Sequence, residues 1–256
     1  MNDGNSEILG KKIFFLYPSA IIQNEIASDL TQQEYEIYIV RDHTNLRRVL
    51  RTYPDSFVFV NIDDRFPEKD CEAWIRGIMK DPVTASVVIG ILSAAANDNL
   101  QRKYINSVGI RGGYTVIKSD ISKAIIHLME VLKAFDARGR RKYIRATIEN
   151  EAQATLNVPF NSQYIKGVVK DISVAGLSCA FDTDPRFEKN TLCKDIQIRL
   201  QSTILKTEGI IFGSRMDGLA KIYVLLFTQR IDPDARTKIR KYIQALLQSR
   251  MDALLK

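Results

Sequence analysis

Between Arg138 and Arg145 the chain carries Arg138, Arg140, Arg141, Lys142 and Arg145, with no acid among them. About one β-hairpin later comes Asp171-Ile172-Ser173-Val174-Ala175-Gly176. The first stretch offers guanidinium groups, planar forks of donors that grip phosphate oxygens in pairs and keep their charge. The same fork fits the O6 and N7 acceptors of guanine. Arg141 and Arg145, four residues apart in an extended or loop segment, can close on one ligand from two sides. In the second stretch Asp171 can accept from guanine N1–H and N2–H, and Ser173 can donate to a phosphate or carbonyl. Gly176, lacking a Cβ, permits a tight turn or close backbone approach. The chemistry on offer is recognition of a ligand bearing both guanine and phosphate.

The spacings Arg141-x-x-x-Arg145 and Asp171-x-Ser173-x-x-Gly176 resemble the double signature of PilZ domains, bacterial receptors for the second messenger cyclic di-GMP. The flanks are similar too: Leu177-Ser178-Cys179-Ala180-Phe181 after the glycine, then the apolar runs Glu208–Phe212 and Ile222–Phe227. Ile231-Asp232-Pro233-Asp234-Ala235-Arg236 then leads into a helix. The resemblance covers residues 138–250. It implies an antiparallel β-barrel and a cyclic di-GMP site built from Arg140, Arg141, Arg145, Asp171, Ser173 and Gly176. In that family an arginine just before the first motif arginine accompanies a stacked, intercalated ligand dimer. Arg140 stands there, which implies two ligands per site. No catalytic residue, metal or cofactor is implied.

At 256 residues the chain has room for two ordinary domains. Its hydrophobic fraction of 45% is that of a globular protein. The charge is uneven. Residues 1–135 hold 16 Lys and Arg against 17 Asp and Glu, net −1; residues 136–256 hold 21 against 13, net +8. A basic half favours anionic partners. Cys71, Cys179 and Cys193 are scattered, and no Cys-x-x-Cys pair or Cys/His cluster suggests a metal. A reducing cytoplasm fits this usage. No apolar run approaches a membrane span. Lys11-Lys12 before Ile13-Phe14-Phe15-Leu16 imitates the start of a signal peptide. Pro18 interrupts it and no small-residue cleavage site follows, so it reads as a buried first strand.

The elements that must position these residues follow from the apolar pattern. Residues 1–10 read as a disordered tail. Short apolar runs recur at Ile13–Leu16, Ile37–Val40, Phe57–Ile62, Val87–Leu92 and Tyr114–Ile117. Helix-like stretches separate or follow them at Ile22–Leu30, Asn45–Thr52, Lys69–Lys80, Asn97–Ser107 and Ser119–Phe135. Strands alternating with helices predict a doubly wound parallel sheet. This pattern over residues 11–135 resembles a response-regulator receiver domain, but the chemistry departs from that family. Asn61 stands where a receiver needs its phosphoryl-accepting aspartate, and Tyr17-Pro18-Ser19 where it needs metal-binding acids. Ser93 and Lys118 sit near the family's switch hydroxyl and lysine, with nothing to act on. Asp63 and Asp64 read as surface acids in a loop. The domain is therefore expected to be a degenerate, unphosphorylated receiver serving protein interaction. Trp74, Ile75 and Ile78 read as a core face; His43 and His127 as surface or packing residues; Arg47, Arg48 and Arg51 as a solvated helix face.

Residues 136–145 form a linker carrying the arginine motif, and residues 146–256 a β-rich domain. Strands are expected at Thr147–Val158, Ile165–Val174, Gly176–Phe181, Ile196–Leu200, Thr203–Phe212 and Lys221–Gln229. Turns are expected at Pro159-Phe160-Asn161 and Met216-Asp217-Gly218, which suggests a small closed barrel. Asp234–Leu255 reads as an amphipathic helix capping it. Because linker and site adjoin, ligand binding is expected to order the Arg140–Arg145 segment. It would then change the interdomain orientation and present an altered surface to a protein partner. An enzyme is not expected, for want of a nucleophile–base pair, paired carboxylates or a P-loop. The alternative readings are a ligand-independent protein-interaction adaptor and a basic nucleic-acid-binding protein; the latter lacks a helix-turn-helix, zinc module or RNA-binding aromatic signature, so nucleic acid is the less expected partner.

Overall fold

The computed structural model describes residues 10–256 apart from 65, 119, 140–141, 151–152, 162 and 229–230. Of the expected disordered tail, residues 1–10, residues 1–9 lie outside the described residues. The chain divides into two compact units, one of residues 1–142 with 248–256 and one of residues 143–247.

In the first unit five strands pair in parallel: β1 (Lys12–Leu16), β2 (Ile37–Val40), β3 (Ser56–Asn61), β4 (Val88–Ser93) and β5 (Tyr114–Val116). Their order is β2-β1-β3-β4-β5, the doubly wound, flavodoxin-like and receiver-like arrangement. Every residue of β3 and of β4 is buried, which is why these strands read as unbroken apolar runs.

The helices are α1 (Ala27–Gln32, preceded by a π-helical turn at Ile22–Ile26), α2 (His43–Thr52), α3 (Glu68–Lys80), α4 (Asp98–Arg102, continued by π-helical Lys103–Val108) and α5 (Ile121–Ala134). Strand order with right-handed crossovers puts α1 and α5 on one face. Their Ile22, Ile26, Leu128 and Leu132 pack there with Ile13, Phe15, Phe57 and Phe59. Helix starts are set locally. Asp42 accepts from the N–H of Thr44 and Asn45, Asn97 from Leu100 and Asp120 from Lys123, each cap contributing about 1 kcal/mol. Trp74, Ile75 and Ile78 of α3 are buried as expected.

The second unit is antiparallel: β6 (Arg145–Thr147), β7 (Ala154–Phe160), β8 (Gln163–Ser173), β9 (Gly176–Phe181), β10 (Leu192–Leu200), β11 (Thr203–Asp217) and β12 (Ala220–Phe227). The order β8-β7-β10-β11-β12-β9 closes on itself through β8–β9 pairing, and β6 adds to the far end of β8. The result is a six-stranded closed barrel, in which closure removes free edges. Bulges between Val169 and Asp171, Cys193 and Ile196, and Ile211 and Gly213 bend the long strands.

Inward residues alternate with outward ones, so Leu156, Val158, Ile196, Ile198, Leu205, Ile211 and Leu225 share one core. Ile239, Tyr242 and Ile243 of α6 (Pro233–Leu254) join that core. The helix therefore packs on the barrel, as its apolar stripe predicts.

The expected single strand Thr147–Val158 is two strands. The chain leaves β6 after Thr147 and turns near Asn150, where Gln153 N–H donates to the Asn150 carbonyl at 3.0 Å. Polar Glu149 and Asn150 suit this exposed turn. β10 and β11 run longer than their apolar cores suggested, because only inward positions of a barrel strand need be apolar.

Candidate functional site

Arg145 of the first motif meets the second motif at one end of the barrel. The Ser173-Val174-Ala175-Gly176 hairpin joins β8 to β9, pairing Ser173 with Gly176 and Asp171 with Ser178. On the other edge of β8, β6 pairs Arg145 with Ser173 and Thr147 with Asp171. Arg145 Nη1 thereby reaches Asp171 Oδ1 at 3.2 Å. The second carboxylate oxygen, Oδ2, accepts from the hydroxyl of buried Ser178. The side chain of Asp171 is 15% exposed and that of Arg145 48%. A carboxylate has about four acceptor positions and a guanidinium five N–H donors. Both groups thus keep hydrogen-bonding capacity facing outward.

Ser173 is engaged within the turn. Its hydroxyl donates to the Gly176 carbonyl at 3.2 Å and accepts from Ala175 N–H at 3.3 Å. At 4% exposure it shapes the hairpin from inside. Gly176 is required by close approach to the neighbouring strand β12. A Cβ there would lie 2.3 Å from the Leu225 carbonyl oxygen and 3.0 Å from Leu226 Cα. Arg140 and Arg141 lie outside the described residues.

Ser178 is the residue that motif reading misses. Its signal is register alone: it lies two residues past Gly176 and is Asp171's cross-strand partner.

The first unit presents the contrasting site. A cavity of about 190 Å³ lies at the carboxyl ends of its strands, lined by Ser19, Asn61, Asp63, Asp64 and Lys118 among others. Open α/β sheets usually bind ligands in such a crevice. Here side chains stitch it. Asn61 Nδ2 donates to the Tyr17 carbonyl at 2.9 Å, and Asn61 Oδ1 accepts from Asp63 N–H. Asp63 accepts from the Ser93 hydroxyl at 3.1 Å and from Ala94 N–H. Asp63 and Asp64 are exposed in the loop after β3, as expected; the Asp63 carboxylate in addition reaches across to β4's end.

Tyr17 takes a left-handed backbone, φ 54°, and its hydroxyl lies 2.7 Å from His43 Nδ1. The His43 ring stacks on Phe66 with centroids 4.4 Å apart. Aromatic packing therefore stands where a receiver places metal-binding acids. Among the described residues no group of three or more His, Cys, Asp or Glu could hold a metal ion. The cysteines are buried, and burial pushes the Cys71 thiol up to about 11 and that of Cys179 up to about 12. Both are poor nucleophiles as a result. Among the described residues no helix is long and apolar enough to cross a membrane.

Residues 139–245 match the PilZ domain family. With Arg145 beside Asp171 at one barrel end, that match decides the assignment. Residues 139–245 form a PilZ domain. Solved structures similar to the chain include the PilZ domain with c-di-GMP of YcgR from Escherichia coli, at 12% identity and TM-score 0.38 over 44% of this chain and 96% of that one. Another is the K. pneumonia MrkH–c-di-GMP complex, at 18% identity and TM-score 0.38 over 46% of this chain and 55% of that one. The signal receiver domain of an HD domain-containing protein from Pseudomonas fluorescens Pf-5 is also similar, at 18% identity and TM-score 0.41 over 50% of this chain and 90% of that one. No curated protein matches the chain. The PilZ domain thus follows a receiver-like unit in whose crevice Asn61 and Asp63 are bonded to neighbouring groups.

Proposed function

We propose that the chain is a cyclic di-GMP receptor whose PilZ domain holds the ligand and whose receiver-like unit passes the signal to a protein partner. The observation that carries this reading is the meeting of Arg145 and Asp171. They come from motifs 26 positions apart in sequence, yet pair at 3.2 Å on adjacent strands. A guanidinium aimed at phosphate or guanine, beside a carboxylate held to accept from guanine N–H, is a recognition arrangement. Nothing in it resembles a nucleophile with its base, so the reading is of a receptor and not an enzyme.

In this account Arg141 and Arg145 close over the ligand, with Arg140 admitting a second, intercalated molecule. Asp171 accepts from a guanine edge. Ser173 and Gly176 hold the hairpin that presents it. Each charge-assisted bond contributes about 1.5–3 kcal/mol, so a few of them supply the differential affinity that a conformational shift requires. Arg140 and Arg141 stand in sequence just before the boundary of the two units at residues 142 and 143, so ligand capture there changes interdomain orientation. The receptor acts in the cytoplasm.

The test is equilibrium binding of cyclic di-GMP to the wild type, Arg145→Ala and Asp171→Ala, with cyclic di-AMP as competitor. Binding lost in both variants and indifferent to cyclic di-AMP supports the reading. Unchanged binding in both, or displacement by cyclic di-AMP, overturns it. Small-angle scattering with and without ligand tests the orientation change.

A further inference from the structure

The outer face of β8-β7-β10-β11 carries a groove of about 420 Å³. Strand registers lay two outward rungs on this face, of which all but Lys206 line the groove. One runs Lys166–Asn157–Gln197–Lys206, the other Val168–Thr155–Arg199–Ile204. The alternate residues Leu156, Ile198 and Leu205 point into the core, which fixes these side chains outward. Lys166, Arg199 and Lys206 are exposed, and no acid pairs with them among the described residues; Asp182 is the acid in the groove. Arg199 Nε donates to Thr155 Oγ1 at 3.3 Å, leaving the outer nitrogens of its fork available. Gln197 Nε2 donates to the hydroxyl of Tyr164, whose ring is 54% exposed.

We propose that this face is a second binding site, separate from the paired motifs, and that its occupant is a single-stranded nucleic acid. Lys166 and Lys206 are three strands apart, about 14 Å at ordinary strand spacing. One compact anion cannot reach both, whereas a phosphodiester chain can. Asn157 and Gln197 between the cations offer the paired donor and acceptor that base edges use. The exposed Tyr164 ring offers a flat face for stacking, and exposed Ile204 adds apolar surface in the groove.

An acidic peptide fits less well. β7 and β10 are each paired on both sides, so a peptide finds no free edge for its main chain. Sequence motifs give no sign of this site because its residues come from four strands.

The test is fluorescence anisotropy of a labelled oligothymidylate of about 12 nucleotides with the intact chain. Three phosphate contacts predict a salt slope of about −2 in log K against log salt, at about 0.7 per contact. The triple variant Lys166→Ala/Arg199→Ala/Lys206→Ala, all exposed positions, should keep its melting temperature. It should lose at least about tenfold in affinity and most of the salt slope. Lys123→Ala, an exposed lysine on α5 in the other unit, should bind as wild type. Absence of binding at low salt, equal binding by the triple variant, or equal competition by polyglutamate would each overturn the proposal. None of these outcomes bears on cyclic di-GMP.

Discussion

The two units keep opposite halves of what makes a signalling domain. The receiver-like sheet keeps a fold and the crevice that goes with it. The crevice's polar groups bond to one another: Asn61 to Tyr17, Asp63 to Ser93 and Ala94. The PilZ barrel keeps its motif residues together, with Arg145 and Asp171 paired at the surface and hydrogen-bonding capacity left over. The difference teaches that a fold supplies position and individual residues supply chemistry. A similar architecture in the first unit says nothing of phosphorylation once Asn61 and Tyr17 hold the key places.

The comparison is broken most strongly at Asp171. Asp171→Ala should weaken cyclic di-GMP binding about 100-fold, since it removes an acceptor and leaves the Ser178 hydroxyl and Arg145 without their partner. Asp171→Asn keeps an acceptor and should stay within about tenfold of wild type. Isothermal binding curves distinguish the two, and equal loss in both would mean that charge alone matters.

Next in size is Gly176→Ala. The 2.3 Å approach to the Leu225 carbonyl forces backbone movement between β9 and β12, at a cost of about 1–3 kcal/mol. Chemical denaturation should show it as a lower midpoint with binding also reduced. An unchanged midpoint would show that the strands separate freely.

In the first unit, Asp63→Ala removes the carboxylate that ties β3's loop to β4's. A loss of about 1–2 kcal/mol is expected, with cyclic di-GMP affinity unaltered. Incubation of the wild type with a small phosphodonor should leave its intact mass unchanged; a gain of one phosphoryl group on Asp63 would restore the receiver chemistry denied here.

Smallest is the acid limb. The Tyr223 hydroxyl, and then Arg186 N–H and Lys221, hold the Asp184 carboxyl below its ordinary value of 3.8. A carboxyl depressed on folding contributes stability that is present above 3.8 and lost as pH falls through the folded value. Asp184→Asn should therefore flatten the decline of melting temperature below about pH 4 and change little at neutral pH.

Much of this was legible in the sequence because local signals sufficed. The five apolar runs of the first unit are strands within one or two residues, since full burial on both faces leaves no polar position to blur them. Arg145 and the Asp-x-Ser-x-x-Gly residues fall together because a hairpin and one added strand bring them there. What escaped reading depends on register. Ser178 meets Asp171 only across the β8–β9 ladder. Asp63 is the exposed loop acid that it looks like, but its partners Ser93 and Ala94, some 30 positions on, are not legible. The four-strand groove has no linear trace at all. Thr147–Val158 misled for the converse reason: the break between its two strands is marked only by polar Glu149, Asn150, Glu151 and Gln153, with no Gly or Pro.

The central claim is tested most directly by calorimetric titration of cyclic di-GMP into the wild type and into Arg141→Ala. The account predicts tight binding at two ligands per chain in the wild type and no measurable heat in the variant. Heat and stoichiometry unchanged by the substitution, or no heat and no thermal shift in the wild type itself, would contradict it.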